Sequence, residues 1–400
     1  MSSPSPAPVA PALGPRLVFF TGGTALRGLS RELTRHTHNS VHLVTPFDSG
    51  GSSAALRRAF AMPAVGDIRN RLLALADSDM TPAPVLEFCA ARLPDNAGQD
   101  DPEPLRRRLR DMASPGHAAW AAMPPLFADA LRLHLLFFLQ RMPAGFDPFR
   151  ACLGNLVLAG GYLHHKRTFG PVLAFFSRLL QTRGVVLPVV SESLHLAARL
   201  EDGSVVVGQH HFRKLPGPVR ELFLTVHEPD RERDGAGARQ FSLTPCRPPL
   251  GETVEPYLRS AGAICYPMGS FYTSVLANLL PQGVGRAVAA ARCPKIFIPN
   301  SGRDAELHGL TVAGQASMLL RHLREDAPEA RTEDLLHTVL VDSRHGRYEG
   351  GLGQADRAEL ARMGLRLADR DMVCEDDPQQ HAPEPTAAAL LALVAGGTRL

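Results

Sequence analysis

The stretch Leu17-Val18-Phe19-Phe20-Thr21-Gly22-Gly23-Thr24 decides the fold. Four apolar residues without alternation suit a strand buried on both faces. The run ends in Gly-Gly between two threonines, and a helical pattern through Leu26, Leu29 and Leu33 follows. The order then repeats. Residues 41–45 read as a second strand, Pro46-Phe47-Asp48-Ser49-Gly50-Gly51-Ser52-Ser53 as a turn, and a helix with Leu56 on its apolar face comes next. Strand, turn and helix twice within about forty residues argue for βαβ units and a parallel sheet.

Working outward, Gly66-Asp67-Ile68-Arg69-Asn70 opens another helix through Leu72, Leu73 and Leu75. Residues 95–104 form a polar linker, and 104–180 are mainly helical, with turns at Pro124-Pro125 and around 143–148. A strand is expected at 185–190. Segments 194–200 and 204–209 flank Asp202-Gly203, so a β-hairpin should decorate the main sheet. The charged loop 227–252 is expected to be exposed and mobile. Alternation resumes with strands at 263–266, 295–299 and 338–341, and helices at 270–280, 311–323 and 383–394. Parallel-sheet elements at both ends, with helices between, predict one α/β domain over 16–400. Its Rossmann-like, mostly parallel sheet is flanked by helices and carries the hairpin and a helical insertion. Residues 1–15 lack the charged and apolar regions of a signal peptide and are expected to be a disordered tail.

Composition agrees with a globular chain. Of 400 residues, 44% are hydrophobic and 21% charged, which supports a large core rather than disorder. A net charge of +3 implies no broad basic field, so nucleic acid is not expected as a partner. The six cysteines are scattered without a C-x-x-C pair, which argues for reduced thiols. The most apolar helical run, 131–139, contains Arg132 and His134 and is too short to span a membrane. A soluble cytoplasmic protein is expected.

Four turns follow strands or open helices, where ligands of open α/β sheets bind. Thr21, Gly22, Gly23 and Thr24 would let backbone N–H groups approach an anion, with a helix N-terminus behind them. In the second turn, Gly50, Gly51, Ser52 and Ser53 suit phosphate oxygens, and Asp48 would hold Mg²⁺. In the third, Asp67 and Asn70 flank Arg69, a candidate for bidentate phosphate contact. Asn300, beside Ser301 and Gly302, would read a base or sugar edge. No Walker A, H-E-x-x-H or G-x-S-x-G motif is present. The sixteen histidines complete no metal-ligand set by spacing.

Together these segments resemble the CofD/YvcK superfamily: the 2-phospho-L-lactate transferases of deazaflavin coenzyme synthesis and the YvcK-type proteins that bind nucleotide sugars. The matching blocks are Thr21 to Thr24, Asp48 to Ser53, Gly66 to Asn70 with Leu73-Ala74-Leu75-Ala76-Asp77, Gly154-Asn155-Leu156, Glu192-Ser193, Gly269-Ser270 with Tyr272-Thr273-Ser274, and His308-Gly309-Leu310-Thr311-Val312. The resemblance implies a Rossmann-like fold, a homodimer, and a nucleotide diphosphate or nucleotide sugar over the first glycine turn. In the transferase branch, a lactyl-diphospho-guanosine donates phospholactate with Mg²⁺. Asp48 and Arg69 would then be the catalytic residues. In the YvcK branch, a UDP-sugar is bound and no turnover need occur. The chain departs from the pattern at Ala25, where a glycine is usual, and at Ser49, where a second Asp is usual. Ala54 and Pro267-Met268 depart in the same way.

Overall fold

All five residues of β1 (Leu17–Thr21) are buried, as the unbroken apolar run requires. The computed structural model describes residues 10–96, 101–226, 243–302 and 304–397. Nine further strands are described: β2 (Val41–Val44), β3 (Val185–Pro188), β4 (His195–Leu200), β5 (Val205–Val207), β6 (Val219–Thr225), β7 (Ala263–Tyr266), β8 (Lys295–Phe297), β9 (Thr338–Val341) and β10 (Arg366–Asp369). Seven form one sheet in the order β10-β9-β8-β7-β1-β2-β3. Every neighbouring pair in it is parallel, with Val18 opposite both Val41 and Ile264.

The parallel crossovers require helices on the sheet faces. They begin with α1 (Arg27–Leu33), α2 (Gly51–Phe60) and α3 (Gly66–Leu75). The insertion between β2 and β3 continues with α4 (Ala83–Ala90), α5 (Glu103–Met112), α6 (Pro125–Leu139), α7 (Leu153–His164) and α8 (Phe169–Leu179). The remaining helices are α9 (Glu255–Arg259), α10 (Val284–Ala290), α11 (Val312–Arg324), α12 (Thr332–Leu335), α13 (Gln354–Arg362) and α14 (Pro383–Gly397). Successive β1 residues point to opposite faces. Leu17 and Phe19 therefore join a core with Leu29 and Leu33 of α1 and Leu390 of α14. Val18 and Phe20 join the opposite core with Val288 of α10 and Leu319 of α11. The helical insertion has its own apolar centre, which reaches the sheet at Val44 and Val186.

Several expectations change. The expected hairpin, β4 with β5, is present, and β6 adds to it to make a separate three-stranded antiparallel sheet, β5-β4-β6. Its third strand and β10 gave no strong sequence pattern. Segment 270–280 is not an α-helix but a π turn, Phe271–Val275, followed by a 3-10 turn, Leu276–Leu279. The ordered chain starts before Arg16. Pro11–Leu13 form a 3-10 turn, and Asn39 Nδ2 donates to Ala12 O (3.0 Å) and Gly14 O (2.8 Å). Residues 1–9 of the expected tail lie outside the described residues. So do 227–242 of the expected mobile loop, but its end is tied down. Leu250 N donates to Gln282 O (2.8 Å) and Gly251 N to Val189 O (3.1 Å). Among the described residues, no helix is long and apolar enough to cross a membrane.

Candidate functional site

After β1 the chain builds outward through β2 and β3, whereas β7 to β10 extend on the other side of β1. The strand order thus reverses between β1 and β7, and such switch points open a crevice outside the carboxyl ends of the strands. A cavity of about 390 Å³ lies there. Thr21, Gly22, Gly23, Thr24 and Ala25 line one side, and Gly269, Ser270, Thr273 and Ser274 the other. Asp48 and Asp67 contribute carboxylates. Gln209, His210 and Arg213 reach in from the small sheet.

The two sides are held together through the first turn. A Cβ on Gly22 would lie 2.6 Å from Ser274 Oγ and 3.1 Å from Thr45 Oγ1, so only glycine fits. A Cβ on Gly23 would meet nothing within 4 Å. Arg71, 1% exposed, lies beneath. It donates to Ser30 Oγ (2.6 Å), Thr21 Oγ1 (3.0 Å), Gly22 O (3.1 Å) and Gly23 O (3.4 Å). Asn278 Nδ2 donates to Thr21 O (2.9 Å) and Ser274 O (2.6 Å), which joins the end of β1 to the π turn. The turn's carbonyls are therefore satisfied from within the protein.

The walls are acidic. Asp48 Oδ1 accepts from Gly50 N (2.9 Å). Asp67 is 8% exposed, and its Oδ2 is buried without a hydrogen-bond partner. Burial, and then the neighbouring Asp48 carboxylate, raise Asp67 to about 7, against opposing pulls from Arg71, the Gly23 N–H and Arg69. Glu306, also on the cavity wall, accepts from Tyr272 N (3.2 Å), Thr273 N (3.3 Å) and Thr273 Oγ1 (2.9 Å). Burial and Asp304 raise it to about 7 as well. Two adjacent carboxylates with an orphaned buried oxygen are a donor set that fits a hard divalent cation such as Mg²⁺. A second cluster, Asp342, His345 and Asp371, lies beyond the end of β9. There Asp342 already accepts four backbone N–H bonds, from Arg344, His345, Met372 and Val373, and so works as a loop staple.

The structure thus gathers Thr21, Gly22, Gly23, Thr24, Asp48 and Asp67 of the sequence candidates around one cavity. The others face elsewhere. Ser52 Oγ accepts from Asn155 Nδ2 (2.9 Å), and Ser53 Oγ packs against Gly66, so α2 spends its serines on α3 and α7. Gly50 gives its N–H to Asp48, and Gly51 takes a positive φ of 47° at the helix start. Arg69 turns toward α7. Its Cδ would lie 2.8 Å from a Cβ on Gly154, and its Nη2 donates to Asn70 Oδ1 (2.6 Å). Asn300 staples Gly269 through both backbone groups, accepting from its N (2.7 Å) and donating to its O (2.8 Å). Neither Arg69, Asn70 nor Asn300 is on the cavity wall. Arg71, Glu306, Gln209, His210 and Arg213 escaped the sequence reading. Arg71, two positions beyond Arg69, was the one within reach of it. Glu306 and Arg213 sit in segments with no periodic pattern.

The model of the 2-phospho-L-lactate transferase CofD family matches residues 17–373. The chain belongs to the CofD family. Among relatives of this CofD-family chain, the gluconeogenesis factor of Bacillus subtilis (strain 168) is 27% identical over 391 residues, 95% of this chain and 98% of that protein. The gluconeogenesis factor of Halalkalibacterium halodurans is 25% identical over 381 residues, covering 94% and 95% of the two chains. A crystal structure of a UPF0052-family protein from Bacillus halodurans superposes with a TM-score of 0.65 at 23% identity, covering 94% of this chain and 99% of that one. That likeness supports the fold. Within the CofD family frame, Ala25 still lines the cavity, and Ser49 leaves Asp67 rather than its own position to partner Asp48.

Proposed function

We propose that the crevice binds a nucleoside diphosphate-linked ligand with Mg²⁺, for group transfer of the 2-phospho-L-lactate transferase type. The observation that carries this is the Asp48–Asp67 pair facing the Gly22-Gly23 turn at the switch point of the sheet. Asp48 and Asp67 would hold the cation. When bound, it would offset phosphate charge that these carboxylates alone would repel. Gly22 keeps the turn close to Ser274, and Gly23 leaves open space for the diphosphate. The switch-point crevice, enclosed by the small sheet, positions the reacting groups, which with charge neutralisation is most of what such transfer needs. In the reaction, an acceptor hydroxyl oxygen bonds to the phosphorus distal to the nucleoside and gives its proton to solvent. The diphosphate bridge breaks, and nucleoside monophosphate leaves.

The test is a thermal-shift panel of GDP, UDP and UDP-sugars, each with and without Mg²⁺. A ligand at a hundredfold its Kd should stabilise the protein by about 2.7 kcal/mol. The expected result is a shift that needs both Mg²⁺ and the diphosphate. A flat response across the panel sinks the reading.

The relatives are named gluconeogenesis factors and not transferases, which favours a second reading: a regulatory protein that, as the YvcK-type resemblance implies, binds a nucleotide sugar without turnover. Ligand recovered intact after long incubation with Mg²⁺ and candidate alcohol acceptors would select it. Release of nucleoside monophosphate would select transfer.

A further inference from the structure

The cavity presents three carboxylates, Asp48, Asp67 and Glu306, to what the reading above takes to be an anionic ligand. Arg71 is spent beneath the glycine turn, and Arg69 faces α7. Among the described residues, one arginine lines the cavity: Arg213. It is exposed and has no ion-pair or hydrogen-bond partner among them.

Arg213 sits on the 3-10 turn Gln209–Lys214, which follows β5. Gly208, at φ 102°, turns the chain into it. Phe212, fully buried, and Leu215, 5% exposed, anchor it in the core. In a 3-10 helix residues three apart share a face, so His210 and Arg213 are presented together. His210 is fastened to the 48–53 turn. Its N donates to Ser49 Oγ (3.2 Å), and Ser49 Oγ hydrogen-bonds His210 Nδ1 (2.8 Å). A hydroxyl that accepts from the backbone N–H has its own hydrogen to offer the ring nitrogen.

We propose that Arg213 is the cation that clamps the diphosphate, and that Ser49 is its positioning residue, latching the Gln209–Lys214 turn across the cavity through His210. This rests on the nucleoside diphosphate reading and adds which side chain reads the phosphates. It also gives Ser49 a use. Where the family resemblance expects a second carboxylate, this chain has a neutral hydroxyl that pins the small sheet over the site. The guanidinium's planar fork matches two phosphate oxygens, which a lysine would not reproduce.

The experiment is calorimetric titration of UDP, UMP, GDP and GMP, in Mg²⁺, into the full chain and four variants. Arg213→Ala should weaken the better-bound diphosphate about tenfold and its monophosphate much less. Arg213→Lys should fall between. Ser49→Ala should cost the diphosphate about threefold, through the lost latch. Arg220→Ala, an exposed arginine of β6 away from the cavity, controls for overall charge and should bind as wild type. If wild type binds a diphosphate and Arg213→Ala binds it equally well, the clamp is overturned while the nucleotide reading stands. If Arg213→Ala loses diphosphate and monophosphate alike, Arg213 is no diphosphate clamp. If wild type binds none of the four, both fall together.

Discussion

Ionising Asp67 means placing a second negative charge beside Asp48 in a buried wall. Its folded-state value, about 7, lies above the ordinary 3.8, so between those two pH values the native state holds a proton that the unfolded state has released. Stability from this group is therefore present at low pH and is lost as pH rises from about 4 through 7. Asp67→Asn removes the penalty and keeps an oxygen for the Gly23 N–H. At pH 8 the ligand-free variant should melt several degrees above wild type, with the gap closing toward pH 5. The same variant should lose the Mg²⁺-dependent part of any nucleotide shift. A melting point unchanged at pH 8 would contradict a buried, charge-strained Asp67. The two glycines of the first turn make a matched pair. Gly22→Ala forces a methyl against Ser274 and Thr45 and should cost about 1–3 kcal/mol in urea unfolding. Gly23→Ala meets open space and should fold as wild type, its effect appearing in ligand affinity.

At the level of elements, the site depends on how β1 is tied to the π turn. Asn278 makes that tie with one amide bonded to two carbonyls, from a side chain with no exposure. Asn278→Ala removes a donor from each carbonyl, leaving Thr21 O with the Thr45 N–H (3.2 Å), and should destabilise by about 1–3 kcal/mol, measured by denaturant midpoint at constant slope. The same elements show how much the sequence could reveal. β1, β2, β7 and β9 were legible because a strand buried on both faces reads as a near-continuous apolar run, which His42 in β2 and Thr338 in β9 interrupt only once each. β10 was not, since at the sheet edge Arg366-Leu367-Ala368-Asp369 needs only Ala368 buried. The π turn looked helical because Phe271, Tyr272, Val275 and Leu276, all buried, recur at the i, i+1, i+4, i+5 spacing of one helical face. Its true form hangs on Glu306 and Asp304, more than thirty positions away, meeting its N–H groups. Of the site, the glycine turn and both Asp residues were readable from local chemistry. Which way Arg69 and Arg71 point was not: two positions on a helix decide between α7 and the Gly22-Gly23 turn, and only packing settles that.

For the whole molecule, the cavity is where two halves of the main sheet meet. One half is β1-β2-β3 with the helical insertion, and the other is β7-β8-β9-β10. The small sheet reaches the same place through Gln209 and Arg213. These parts come from distant stretches of chain, and besides the β1–β7 ladder they are linked at the site through Asn278 on one side and the Ser49–His210 bond on the other. A ligand in the cavity would add contacts to all three parts at once, and whatever binds only the native state suppresses local opening of the segments it bridges. Hydrogen exchange followed by mass spectrometry should therefore show Mg²⁺ and a nucleoside diphosphate slowing exchange in three separated segments: 21–25, 208–214 and 268–275. A ligand seated only on the glycine turn would protect the first and leave the other two at their free rates. That outcome would remove the small sheet from the site, because the clamp requires the 208–214 turn to lose mobility in step with the first.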